Sequence, residues 1–190
     1  ANYFGSSYLK NNGKGKFELL PLPIQAQFAA LNGILVDDYD MDGNMDVLIN
    51  GNDYGTEVSV GRYDALNGLL LKGDGKGGFK PLSILESGIF IPGNGKALVS
   101  LQAASGVQFI AGSQNKGPLK IFELKKKGDW MPVAANDVSA SIEYKNGQKT
   151  KIEFYYGSSF MSQSTRAVYK NELIKSITIT DNKGNKRVVQ

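Results

Sequence analysis

The stretch Asp37–Gly51, with the sequence DDYDMDGNMDVLING, decides how the rest of the chain is interpreted. It places five aspartates within ten positions and then continues directly into the apolar run Val47–Ile49. The chain as a whole is mildly basic, with a formal net charge of +4. Because crowded carboxylates repel one another, this local concentration of negative charge calls for a positively charged partner.

The spacing of the oxygen-bearing side chains is typical of a calcium-binding loop. Ligand positions at every second residue point inward in a tightly curled loop, and Gly43 stands where the chain must turn sharply. In an EF-hand the twelfth position is a bidentate glutamate, but counting from Asp38 that position is Ile49, so the loop is not an EF-hand. The predicted ligands are Asp38, Asp40, Asp42, Asn44 and Asp46. A solvated acidic turn between two strands is the alternative.

Composition excludes several classes of protein. The 190 residues include no cysteine and no histidine. Disulfides, cysteine-ligated zinc, thiolate nucleophiles and the usual Ser-His catalytic pairs are therefore excluded. The sequence contains no run of about 18 apolar residues, the length needed to span a membrane. The small excess of basic residues does not by itself indicate nucleic-acid binding. The 23 glycines and many short apolar clusters predict an all-β protein.

A short segment occurs twice. Tyr8–Phe17 (YLKNNGKGKF) is matched by Leu70–Phe79 (LLKGDGKGGF), and the two phenylalanines lie 62 residues apart. Each copy predicts a hairpin that is followed by a Pro-Leu stretch and two further strands. In the second unit the acidic loop is replaced by Gln102–Gly106, which contains no carboxylate. A single metal site is therefore expected.

The acidic loop together with the repeated hairpin resembles the FG-GAP/VCBS repeats that form blades of calcium-bearing β-propellers such as integrin α-subunit heads. This resemblance implies four-stranded antiparallel blades, with Ca²⁺ held between the first and second strands. Mapped onto this chain, the first blade would use Gly33–Val36, Val47–Asn50, Gly68–Lys72 and Phe79–Ser83. The second would use Ala97–Leu101, Phe109–Gly112, Leu119–Leu124 and Trp130–Val133.

The last third of the chain has its own pattern. Ser141–Gln148 and Lys151–Tyr156 alternate with period two around Asn146-Gly147, which is a strong hairpin signal. Together with the segment Gly157–Ser164, GSSFMSQS, this region resembles the ASPIC/UnbV module that follows such repeats in bacterial surface proteins. The resemblance departs at Thr180-Asp181, where a Trp-Pro pair is usual, and at Tyr169–Glu172, where Phe-Gly-Leu-Gly is usual. The predicted organisation is propeller blades over residues 1–135 and a small β module over residues 136–190.

A propeller needs roughly four to eight blades to close, and residues 1–135 supply two blades and the tail of another. The expected fold is therefore an all-β partial β-propeller of two to three four-stranded blades, followed by the C-terminal β module. We therefore expect either the C-terminal part of a longer repeat protein or open blade edges that are covered by association with another copy.

A loop-length difference suggests a second candidate site. Residues 53–65 separate the second and third strands of the first blade, whereas the second blade has only Gln114–Pro118 there. Loops on a rigid scaffold often carry recognition residues. The candidate ligand-binding residues are Tyr54, Arg62, Tyr63 and Asp64; a merely lengthened hairpin is the alternative.

These features predict a non-enzymatic, calcium-binding protein that mediates adhesion or binds a protein or glycan at a bacterial surface, in the periplasm or after secretion. An accessory or catalytic domain of a polysaccharide-acting hydrolase is the competing class, and it would require a carboxylate pair away from the metal loop. A nucleic-acid binder ranks third, because it would require lysines clustered on one face.

Overall fold

The computed structural model describes residues 2–127, 129–158 and 161–189. Within them the chain forms fifteen β-strands, a 3₁₀ helix (Ile24–Gln27) and a short helix α1 (Ile84–Ser87). The strands are β1 (Ser7–Asn11), β2 (Phe17–Pro21), β3 (Leu31–Asp37), β4 (Asp46–Gly51), β5 (Leu69–Gly73), β6 (Phe79–Leu82), β7 (Gly95–Gln102), β8 (Val107–Gln114), β9 (Lys120–Lys127), β10 (Asp129–Pro132), β11 (Asp137–Tyr144), β12 (Lys149–Glu153), β13 (Ala167–Lys170), β14 (Ile174–Asp181) and β15 (Lys186–Val188). The predicted all-β class is confirmed at this level.

Strands β3 to β6 form a four-stranded antiparallel sheet in sequence order. Its bounds agree with the four strands predicted for the first blade to within two residues. Strand β4 is apolar on both faces, because Leu48 packs into one buried cluster while Ile49 packs into another. A strand that is covered on both faces reads as a continuous apolar run, which accounts for Val47–Ile49.

The second sheet differs from the prediction. It contains three strands, β7-β8-β9, rather than four. The expected fourth strand, Trp130–Val133, corresponds to β10, which pairs with β13 in a separate two-stranded sheet. The reason is burial: Met131 and Val133 pack against the C-terminal core, which gives this segment a better partner than the edge of β9.

Three buried clusters organise the fold. One lies between the sheet β3–β6 and the sheet β7–β9 and includes Leu48, Leu98 and Ile110. A second covers the opposite face of β4 and β5, and the third occupies the C-terminal region, where Ile142, Ile177 and other side chains are buried. The four-stranded sheet β3–β6 therefore has a core on each face, whereas the C-terminal region has a core of its own.

Both copies of the repeated segment form antiparallel hairpins, β1-β2 and β5-β6. The first hairpin packs against the second, since the ring of Tyr8 meets the edge of Phe79 with 5.3 Å between ring centroids. The Tyr8 hydroxyl also donates a hydrogen bond to the carbonyl of Gly77.

The C-terminal region forms a second four-stranded sheet in the order β12-β11-β14-β15. The predicted hairpin around Asn146-Gly147 is confirmed as β11-β12, and Gly147 takes the positive φ of +86° that the turn requires. Gly128, and Ser159 and Phe160 of the predicted GSSFMSQS motif, lie outside the described residues. Among the helices that the structure describes, neither has the length and apolarity needed to cross a membrane.

Candidate metal centre

The acidic loop connects β3 to β4 at one end of the four-stranded sheet. Asp37 and Asp46 are directly opposite each other as the last paired residues of the two strands, so they form the base of the loop. The side chain of Gln108 on β8 donates a hydrogen bond to the carboxylate of Asp37 at 3.2 Å. The base of the loop is therefore held by the sheet β3–β6 and by a hydrogen bond from the sheet β7–β9.

Three carboxylates converge within the loop. Ligand oxygens of Asp38, Asp40 and Asp42 all lie within 4.8 Å of one another. The loop backbone holds them in place, because the Gly43 N–H donates to Asp38 Oδ2 at 2.9 Å and the Asp42 N–H donates to Asp38 Oδ1 at 3.1 Å. Gly43 has φ +88°, a left-handed conformation that favours glycine. The spacing read from the sequence thus brings three of its five predicted ligands together.

Lys72, on β5, supplies a positive charge to this cluster. Its ammonium pairs with the carboxylate of Asp40 and lies 3.1 Å from Asp42 Oδ2. These hydrogen bonds raise the pKa of Lys72 well above its usual range. The pKa of Asp42 is lowered, first by the hydrogen bond from the Asn44 backbone N–H and also by Lys72. Lys72 therefore offsets part of the negative charge of the cluster.

Asp46 has a different role from the other predicted ligands. Its side chain is buried, and it accepts hydrogen bonds from the backbone N–H groups of Tyr39 at 3.0 Å and Gly73 at 2.9 Å. Burial raises the pKa of this carboxyl group. Asp46 closes the loop and ties it to β5, and it is outside the group formed by the three converging carboxylates.

Asn44 lies against the neighbouring β5-β6 hairpin. Its backbone N–H donates to Asp42 Oδ1 at 2.8 Å, and its side-chain oxygen lies where a Cβ on Gly75 would stand. Gly75 itself has φ +69°. Glycine at this position therefore leaves room for the acidic loop to fold against the hairpin.

The C-terminal sheet also contacts the loop. The side-chain amide of Gln148, in the β11-β12 turn, donates a hydrogen bond to the Gly43 carbonyl at 3.0 Å. Sequence reasoning missed both Lys72 and Gln148. Lys72 is 30 residues from Asp42 and Gln148 is 105 residues from Gly43, so neither contact leaves a local pattern in the sequence.

The second candidate site lies at the opposite end of β4. Arg62 stacks over the ring of Tyr54, with 4.8 Å from its guanidinium carbon to the ring centroid. Tyr63 pairs with Asp53 through two backbone hydrogen bonds of 2.9 Å, and Asp64 is exposed beside it. The structure therefore brings Tyr54 and Arg62 into contact and places Tyr63 and Asp64 on the same exposed loop.

Comparison with known proteins adds no relative. A scan against protein-family models found no matching family, and a search of curated proteins found no match. The resemblances to FG-GAP/VCBS repeats and to the ASPIC/UnbV module therefore stay predictions from sequence, and the functional argument depends on the geometry of the loop.

Proposed function

We propose that this chain is a calcium-stabilised, non-enzymatic binding module, built from propeller-type blades and a C-terminal β module, that acts at a bacterial surface, in the periplasm or after secretion. The observation that carries the proposal is the convergence of three loop carboxylates within 4.8 Å at the end of a β-hairpin. Hard cations such as Ca²⁺ prefer clustered carboxylate and carbonyl oxygens.

The donor set fits calcium better than a transition metal. Asp38, Asp40 and Asp42 provide carboxylate oxygens, and the chain contains no histidine or cysteine to provide nitrogen or sulfur. When bound, Ca²⁺ would neutralise the loop and cross-link the connection between β3 and β4. Extracellular modules commonly bind Ca²⁺ with dissociation constants of about 10⁻⁴–10⁻³ M, which suits a calcium-rich exterior.

The environment of Asp46 argues against a catalytic role for this carboxyl group. A glycosidase acid needs a raised pKa together with a carboxyl group that can reach the substrate. Asp46 has the raised pKa, but the side chain is buried and both of its oxygens accept backbone hydrogen bonds. We propose adhesion or the binding of a protein or glycan as the function, with Tyr54, Arg62, Tyr63 and Asp64 as the recognition residues; Arg62 stacks on Tyr54, and Tyr63 and Asp64 are exposed on the same loop.

Calcium titration of chelator-treated protein by calorimetry tests the proposal. The protein should bind one Ca²⁺ and gain thermal stability, and Asp42→Asn should abolish both effects because it removes a converging carboxylate. Asp129→Asn, at an exposed position on β10, removes the same charge away from the loop and should bind as the parent protein does. Absence of binding at several millimolar Ca²⁺, or equal binding by Asp42→Asn, would refute the calcium assignment.

A further inference from the structure

Strand β9 forms an open edge of the three-stranded sheet. In the described part of the chain β9 is the terminal strand of its sheet, and no backbone hydrogen bond joins its outer edge to another segment. It is eight residues long. By contrast β6, the corresponding edge of the four-stranded sheet, has four residues and includes Pro81, which cannot donate to a neighbouring strand. Long open edges of this kind readily accept another strand.

A groove of about 640 Å³ runs along this edge. Residues 121–125 all line the groove. Since successive side chains of a strand point to opposite faces, a groove on one face would contact only every second residue. The groove therefore follows the backbone edge of β9. Its floor is apolar and includes Leu48, Leu70 and Ile110. The opposite wall is α1 and the residues that follow it, and a capping box between Ser83 and Glu86 fixes this short helix. A strand seated beside β9 would fill the groove.

One apolar side chain on that wall is almost fully exposed. Leu85, which lines the groove, is 98% exposed. Phe122 and Leu124 point from β9 toward the same buried cluster as Ile89. An added strand would therefore place alternate apolar residues between β9 and α1, and would cover Leu85.

The charged side chains on the exposed face of β9 indicate which charges a paired strand should carry. Glu123 and Lys125 are exposed and alternate with Phe122 and Leu124. Opposite charges that face each other across paired strands are stabilising. A strand that pairs antiparallel with residues 121–125 is therefore complementary when it carries an acidic residue opposite Lys125, a basic residue opposite Glu123 and apolar residues opposite Leu124 and Phe122.

We infer that the open edge of β9 and its groove form a binding site for an extended peptide of another protein, which adds a fourth strand with the pattern acidic–apolar–basic–apolar. The inference rests on the proposed binding function and names its partner class. Because Asp40, Asp46 and Lys72 also line the groove, peptide binding is measured both without calcium and with calcium. About five residues of peptide, roughly 17 Å of extended chain, would occupy the site.

The probe is a fluorescein-labelled Glu-Val-Lys-Val-Thr peptide, with binding measured by fluorescence anisotropy. Two further peptides are N-methylated on alternate residues. In one the methylated N–H groups are those that would face β9, and in the other they are those that would face away from β9. Only the peptide methylated on the edge that faces β9 should lose binding, by at least about tenfold, because only those N–H groups pair with the protein. Equal loss in both peptides, loss in neither, or no binding at millimolar protein would overturn the inference.

Protein variants test the register. Glu123→Lys combined with Lys125→Glu should lose affinity for this peptide and gain affinity for Lys-Val-Glu-Val-Thr. Leu85→Asp should weaken binding, whereas Val58→Asp, at a loop position 99% exposed outside the groove, should not. Leu85→Asp should bind Ca²⁺ as the parent protein does, because Leu85 lines the groove and lies outside the carboxylate cluster, so failure of the calcium site and failure of the peptide site are distinguishable. Self-association of the protein that both the peptide and Leu85→Asp abolish would assign the edge to a second copy and overturn the peptide assignment.

Discussion

Lys72 is the cation with which a metal ion bound to the acidic loop would compete. Its ammonium contacts Asp40 and Asp42, two of the three converging carboxylates. We expect Lys72→Met to raise the Ca²⁺ affinity of the loop by roughly two- to fivefold, the range that an exposed ion pair supports. Calorimetric titration of chelator-treated protein measures the change.

Lys80→Met is the matched control for this variant. Lys80 lies on the adjacent strand β6 and pairs with Glu86 at 3.7 Å, so its removal deletes the same charge without touching the acidic loop. Its Ca²⁺ affinity should equal that of the parent protein. Weaker Ca²⁺ binding by Lys72→Met would show that the lysine organises the carboxylates for the metal rather than competing with it.

At the scale of elements, the two related hairpins offer a controlled comparison. Gly75 in β5-β6 and Gly13 in β1-β2 are equivalent in the repeat, and both have positive φ, +69° and +80°. A Cβ at Gly13 would meet open space, whereas a Cβ at Gly75 would displace the side chain of Asn44. Each substitution by alanine should cost about 1 kcal/mol or slightly more of unfolding free energy, because each strains the backbone.

Only Gly75→Ala should also weaken Ca²⁺ binding, since Asn44 belongs to the acidic loop. Denaturant unfolding and calcium titration of the two variants give both quantities. If Gly13→Ala weakened calcium binding as much as Gly75→Ala, the packing of the loop on β5-β6 would not be what positions its ligands.

The elements that could be predicted from sequence are those with local signals. Hairpins follow from turn glycines such as Gly147, and β4 follows from its apolar run. The predicted pairing of β10 with β9 was wrong, because Trp130–Val133 was assigned to the second blade from the resemblance alone. The partner of β10 is decided by burial of Met131 against residues that come later in the chain, for which no local pattern exists.

At the scale of the whole molecule, one ion pair ties together the ends of the C-terminal region. Arg187 on β15 contacts both carboxylate oxygens of Asp137, at the start of β11, and the Asp137 side chain is fully buried. The Arg187 guanidinium holds the pKa of Asp137 below its ordinary value. The ionised carboxylate therefore stabilises the folded state above the ordinary aspartate pKa of about 3.9, and this contribution is lost as pH falls through the lowered pKa.

Arg187→Met should lower the melting temperature by several degrees at neutral pH, and the difference from the parent should shrink as the pH falls below about 4. Thermal melts across this pH range measure the effect. Lys175→Met is the control, because it removes a charge from β14, where Lys175 forms an exposed pair with Glu143 at 2.6 Å, and it should change stability little. A constant difference between Arg187→Met and the parent at all pH values would contradict the linkage.

The converging part of the candidate metal site was also predictable, since Asp38, Asp40 and Asp42 belong to one local loop. Its surroundings were not. Lys72 and Gln148 reach the loop from distant segments, and the inward turn of Asp46 depends on the backbone N–H of Gly73 in β5. Such contacts arise only when the sheets assemble.

The burial of β4 on both faces has a consequence for how its alignment is encoded. In a strand with one solvent-exposed face, a register shift by one residue would turn the apolar side chains toward solvent. In β4 both faces are covered, so its apolar side chains would remain buried after such a shift. Alignment must then come from polar groups with fixed partners. Asn50 accepts a hydrogen bond from the Gly33 N–H at 2.9 Å and donates one to the Ala97 carbonyl at 3.1 Å, while Asp46 anchors the other end. Asn50 and Asp46, two buried polar residues, thus fix the register of a strand whose apolar side chains would be buried in either alignment.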